Sequence, residues 1–85
     1  MWIAKVIVTY KPGILDPEGK TIQHALTQLG FLDIENLETG KYFELKFKSG
    51  IDREKAEALT RETCEKILHN PVIQKYTFQL NEVSA

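Results

Sequence analysis

Cys64 carries the one thiol of this chain, and His24 and His69 carry its two imidazoles. A thiol beside an imidazole can act as an acyl-transfer nucleophile, and the same residue types hold zinc. The spacing supports neither. His69 follows Cys64 by five positions, so the two do not share a helix face, and no acid is arranged with them. Three such side chains without ligand spacing do not make a metal site. Cys64 reads instead as a small buried hydrophobe beside the apolar stripe of a helix. His69 falls in the last turn of that helix, where an imidazole complements the negative end. His24 lies off the stripe of an earlier helix and reads as solvated. Glu54, Glu57, Glu62 and Glu65 are interleaved with Arg53, Lys55, Arg61 and Lys66. That pattern is a solvated face with i,i+4 pairs, not an acid/base couple. The residues therefore predict no catalytic, cofactor-binding or metal site on this chain.

Groups suited to contact are better provided for. The loop KPGILDPEG, residues 11–19, holds two prolines and two glycines. Pro12 fixes its own φ and Gly13 admits φ > 0, so Lys11-Pro12-Gly13 turns the chain sharply. Asp16 stands where a helix N-cap belongs, with Pro17 at the first helical position and Glu18 near the positive end. The glycine spacing matches neither phosphate-binding motif, and Glu18 would repel an anion. The segment HNPVIQKY, 69–76, is similar: Asn70 ends a helix, and Pro71 forbids its continuation. Lys11 and Lys41 each flank a glycine turn, as contacts to a partner or as ordinary loop lysines. Rigid loops lose little entropy on binding, so both segments make good docking elements.

Six elements must position these loops. Residues 2–10 read as a strand. Ile22, Ala25, Leu26 and Leu29 repeat at helical spacing from Thr21, and Gly30 closes that helix. Residues 31–37 read as a weaker strand, joined by a tight Glu38-Thr39-Gly40 turn to a strand at 41–48. There Phe43, Leu45 and Phe47 face one side, and Tyr42, Glu44, Lys46 and Lys48 the other. Asp52 caps a second helix reaching Leu68, with Ala56, Leu59, Thr60, Thr63 and Ile67 inside. Residues 72–80 form the last strand, and the tail 81–85 frays. The order is β-α-β-β-α-β: an α+β, two-layer, ferredoxin-like sandwich with both helices on one face of a mostly antiparallel sheet. The open face would carry Ile3, Lys5, Ile7 and Thr9, with Ile73, Lys75, Thr77 and Gln79 from the last strand. It is too apolar to be plainly solvated and too charged to be a core, which fits a subunit interface. The stretches Tyr10–Asp16 and Phe47–Asp52 also echo each other, either as generic strand-to-helix turns or as traces of a duplication.

Eighty-five residues make one domain, 1–85. So small a core leaves little net stability, so self-association is expected. A net charge of −1 argues against a nucleic-acid scaffold. One cysteine forms no internal disulfide, in keeping with a reducing cytoplasm. No apolar run is long enough to span a membrane, and nothing resembles an export signal.

KPGILDPEG, the Leu29-Gly30-Phe31 junction, Gly40-Lys41 followed by Glu44, and Asn70-Pro71-Val72-Ile73 with Tyr76 together resemble the PurS family, over essentially the whole chain. One departure is visible: members often carry a basic residue shortly before the Gly-Lys pair, and here that stretch is Leu37-Glu38-Thr39. The resemblance implies a non-catalytic small subunit of phosphoribosylformylglycinamidine synthase, in purine biosynthesis. It would join a glutaminase subunit to an ATP-dependent synthase subunit and form a homodimer or higher oligomer. ATP and Mg would sit in the synthase subunit. The candidate interface residues are Ile3, Lys5 and Ile7 on the open face and Lys11, Pro12, Gly13 and Asp16 in the first loop. Lys41, Pro71, Ile73 and Tyr76 complete the set. Two rivals share the element order. An RNA-binding module would expose stacking aromatics, but Phe43 and Phe47 point with Leu45 to the core. A small-molecule-binding regulatory domain would take its ligand near the Gly13 and Gly50 turns.

Overall fold

Alternation builds the first strand. In β1 (Trp2–Tyr10), Ala4, Val6 and Val8 are buried on one side, while Lys5 and Ile7 stand exposed on the other. β1 is the central strand of an antiparallel sheet of order β2-β1-β3, flanked by β2 (Gly40–Lys46) and β3 (Gln74–Glu82). The computed structural model describes residues 1–84 and shows an α+β fold with two helices, α1 (Pro17–Gln28) and α2 (Arg53–Thr63).

The core lies between the sheet and α2. Ala56, Thr60 and Cys64, one helical turn apart, are fully buried. Val6, Val8 and Cys64 form its centre, with Phe43, Leu45, Leu68, Tyr76 and Phe78 packed around them. The buried Thr60 hydroxyl donates to the Ala56 carbonyl at 2.7 Å, so it is not left unpaired. Arg53 and Arg61 lay their guanidinium groups over Trp2 and Phe78, at 5.9 and 5.3 Å from the ring centres. Past Thr63 the helix widens into one π turn, Cys64–Leu68. A π turn holds an extra residue, so the face slips there. Cys64 and Leu68 stay inside, whereas Ile67, expected on the inner face, is 77% exposed.

The helix starts are as expected. Asp16 accepts from the Gly19 N–H at 2.9 Å, and Asp52 accepts from the Lys55 N–H at 2.8 Å. The turns before them match as well, with φ of +83° at Gly13 and +93° at Gly50. At the end of α1, the Gly30 N–H donates to Thr27 O and the Phe31 N–H to Leu26 O. Those two bonds form a Schellman stop.

Three expectations need correction. The strand expected at 31–37 joins no ladder, which leaves three strands among the described residues. Its residues run back along α1, where the Gln23 amide donates to Glu35 O at 2.9 Å. Glu38-Thr39-Gly40 is consequently not a hairpin, and Gly40 has no positive φ. Gly40 is needed because a Cβ there would lie 2.6 Å from Val8 O. The last strand starts later and ends later than 72–80. Pro71, Val72 and Ile73 form a turn, so Ile73 is not on the open sheet face. Asn81 and Glu82 do not fray; they pair with Ile3 and Trp2, and the Val83 N–H donates to Met1 O at 2.8 Å. The extra ladder bonds outweigh the entropy of a terminus. Ala85 of the expected frayed tail lies outside the described residues. Finally, α1 does not lie on the sheet beside α2. Only Gly19 of its residues is buried, and the molecule measures 51 × 30 × 14 Å.

Gly40→Ala tests the close approach of β2 to β1. The added methyl must push against backbone, and overpacking of this kind costs about 1–3 kcal/mol. Denaturant unfolding is expected to show that loss with an unchanged slope.

Candidate functional site

The two proline-containing loops meet. The Lys11 N–H donates to Ile73 O at 2.9 Å, and the Lys11 ammonium donates to Pro71 O at 2.5 Å. Lys11 therefore pins the 11–16 loop to the 70–73 turn, a function its sequence position did not reveal. The turn is closed by Asn70. Its side-chain carbonyl accepts from the Val72 N–H at 3.0 Å, and its backbone carbonyl accepts from Gln74 N–H at 2.7 Å. Such an Asx turn fixes the backbone without a glycine.

Asp16 is the centre of the site. Besides capping α1, its carboxylate accepts from the Thr39 N–H at 2.7 Å and from the Thr39 hydroxyl at 2.9 and 3.0 Å. Those bonds stabilise the charged form, so the carboxyl titrates below its ordinary value, held first by the Thr39 N–H and then by that of Gly19. Gly19 must lack a side chain, because a Cβ there would come 2.9 Å from Leu37 O and closer still to the Asp16 carboxylate. An open cleft of about 240 Å³ lies beside these groups, lined by Lys11, Lys20 and Lys75 together with Asp16 and Glu38. Glu38 thus adds a second carboxylate to a cleft with three lysines.

The groups that could react are occupied. Burial pushes the Cys64 thiol up, and Glu65 adds to the shift. A thiol so placed is a poor nucleophile. His69 Nδ1 lies 2.6 Å from Cys64 O, and its ring meets Tyr76 edge-on at 4.9 Å. The Tyr76 hydroxyl donates to Glu65 at 3.2 Å, and burial with that carboxylate raises its pKa. Tyr76 is therefore part of the packing at the end of α2 more than a free contact. Glu57–Arg61 and Glu62–Lys66 form the expected exposed pairs, at 3.2 and 2.7 Å. Among the described residues, no three His, Cys, Asp or Glu side chains could hold a metal ion, and no helix is long and apolar enough to cross a membrane.

The open sheet face carries the expected residues of β1 and β3 without Ile73. Lys5 stands between Glu44 and Gln79, and Ile7 between Tyr42 and Thr77. Ile7 is 50% and Tyr42 55% exposed. Lys41 is exposed on β2, opposite Val8 of β1.

Residues 3–82 match the model of the PurS family, described as phosphoribosylformylglycinamidine (FGAM) synthase. The chain belongs to the PurS family. It is 39% identical over 85 residues to the FGAM synthase subunit PurS of Bacillus subtilis, covering 100% of this chain and 99% of that one. Identity to the Methanocaldococcus jannaschii PurS subunit is also 39%, over 83 residues, 98% of this chain and 99% of the relative. The crystal structure of M. jannaschii PurS superposes with a TM-score of 0.87 at 37% identity, covering 99% of this chain and 100% of that one. A chain in the structure of PurLQS from Thermotoga maritima gives a TM-score of 0.76 at 28% identity, covering 95% and 99%. PurS membership places the chain in purine biosynthesis as an FGAM synthase subunit.

Asp16 supplies a pH test. A carboxylate whose folded pKa is depressed stabilises the fold above its unfolded value, near 4, and loses that stabilisation as pH falls through the folded value. Asp16→Asn keeps a capping side chain but loses the charge and the second acceptor for Thr39. Urea midpoints are expected to fall in the variant at pH 7, and the gap from wild type is expected to narrow below about pH 4.

Proposed function

We propose that this chain is the small, non-catalytic part of FGAM synthase and joins a glutaminase subunit to the ATP-dependent synthase subunit. In that assembly glutamine releases ammonia, and the synthase uses ATP to make formylglycinamidine ribonucleotide, ADP and phosphate. ATP and Mg belong to the synthase subunit, and the chain works in the cytoplasm as a homodimer or larger assembly. The observation that carries this reading is the pinned pair of loops. Lys11 locks the 11–16 loop onto the 70–73 turn, so one rigid surface presents Pro12, Gly13 and Pro71 to a partner. Such a surface is organised for docking, while the one thiol is buried. The structure of PurLQS from Thermotoga maritima, which contains a chain of this fold, supports a heteromeric setting. The open face with Ile3, Lys5 and Ile7, and the exposed Lys41, supply further contact area. The RNA-binding and small-molecule alternatives receive no support from the family match.

Two comparisons test the reading in the reconstituted complex. Lys11→Glu removes the ammonium's pin to Pro71 and reverses the charge, whereas Lys11→Met removes the pin and the charge without reversing it. Both are expected to lower the glutamine-driven rate several-fold, Lys11→Glu more. Both are expected to spare the rate driven by added ammonium, which bypasses the glutaminase. Wild-type rates on both routes would leave Lys11 an ordinary loop residue and remove the main support for docking here. Cys64→Ser is expected to cost about 1–3 kcal/mol, because a hydroxyl replaces a buried thiol. Glutamine-driven turnover should be unchanged wherever the complex still assembles.

A further inference from the structure

β3 ends the sheet, so one of its edges pairs with no strand among the described residues. Natural edges are guarded against a stray strand by proline, by a bulge or by charges along the strand. This edge has none of those. Its ladder to β1 runs without a break from Gln74 to Glu82, and it holds no proline. Its two charges, Lys75 and Glu82, stand near its ends, and residues 76–81 between them are uncharged.

Beside this bare edge lies a groove whose charges are ordered. It is open, measures about 710 Å³, and runs between α2 and β3, with Phe78 and Leu80 among its lining. The charged residues that line it are Arg53, Glu57 and Arg61. They recur every four positions, so they form one row along α2, plus, minus, plus, at about 6 Å per step. The row follows the strand. Arg61 lies over Phe78, and Arg53 lies over Trp2, the ladder partner of Glu82. Side chains on one face of an extended segment repeat at about 6.6 Å, nearly the same step.

We propose that the β3 edge takes an extended segment of a different chain, with acid, base and acid at alternate positions facing α2. The segment adds a strand beside β3, and backbone hydrogen bonds supply the affinity. Its two carboxylates meet Arg53 and Arg61, and the cation between them meets Glu57. Exposed ion pairs contribute little each, so the row fixes register and partner choice more than strength. The existing Glu57–Arg61 pair is of that exposed kind. A second copy does not fit. The pattern needs two acids four positions apart, and no two of the twelve Asp and Glu residues have that spacing. Lys11 and the 70–73 turn take no part, so this contact is additional to the pinned loops.

NMR of the isotope-labelled full chain, titrated with synthetic peptides, tests the pairing. TSETKTETS carries the matching order on one face, and TSETETKTS has the same composition with the order broken. The first is expected to shift the β3 amides between Gln74 and Glu82 and to slow their exchange with solvent. It is also expected to bind several-fold more tightly than the second, with the difference narrowing as salt is added. Glu57→Lys alters an exposed side chain and is expected to prefer TSETETETS over TSETKTETS, the reverse of wild type. Equal affinity for the matched and broken peptides, shifts away from β3, or no shift at millimolar peptide overturns the proposal. A Glu57→Lys chain that keeps the wild-type preference overturns it too. So do β3 shifts that appear on raising the protein concentration alone, which assign the edge to a second copy.

Discussion

One carboxylate organises this molecule. Asp16 accepts from Gly19, where α1 begins, and from Thr39, where β2 is about to begin. Gly19 lies 3 positions from Asp16 and Thr39 lies 23, yet both are held on one side chain. That shared anchor sets the direction in which α1 leaves the sheet and makes the returning segment run beside it. It also explains two glycines at once. Gly19 lets the backbone at Leu37 come close, and Gly40 lets β2 close on Val8.

The local devices were legible in the sequence. Both N-caps, the left-handed glycines at 13, 30 and 50, the π-turn helix as a helix, and the alternation of β1 and β2 depend on residues within a few positions of one another. The inward placement of Cys64 and the solvated carboxylates of α2 were legible for the same reason. What failed to show was settled at a distance. Residues 31–37 have the composition of a strand, but Thr39 is claimed by Asp16 and the Glu35 carbonyl by Gln23, so the segment runs beside α1. At Cys64–Leu68 no residue forbids a regular helix, so nothing local announced the slip there. In the docking loops, the prolines and glycines were visible, whereas the contact of Lys11 with Pro71, 60 residues on, was not.

The arrangement suits a subunit that works by shape. Its thiol and one of its histidines are committed to packing and to the end of α2, so the surface is left to lysines, prolines and exposed aliphatic groups. Firmness at the loops and bareness along α1 are different properties. The first favours a partner that must be met in one orientation; the second favours burial wherever a complementary apolar face exists.

The order β2-β1-β3 has a consequence for biosynthesis. The first strand made is the central one, and one of its two neighbours is the last made, with Trp2 opposite Glu82. At about 5–20 residues per second, β1 waits several seconds on the ribosome before that neighbour exists. Until β3 is made it is an apolar ribbon with one edge empty, and such edges template misassembly. The sheet is therefore completed only once β3 has been made, and losing Asn81 and Glu82 would shorten its longest ladder from the end that arrives last.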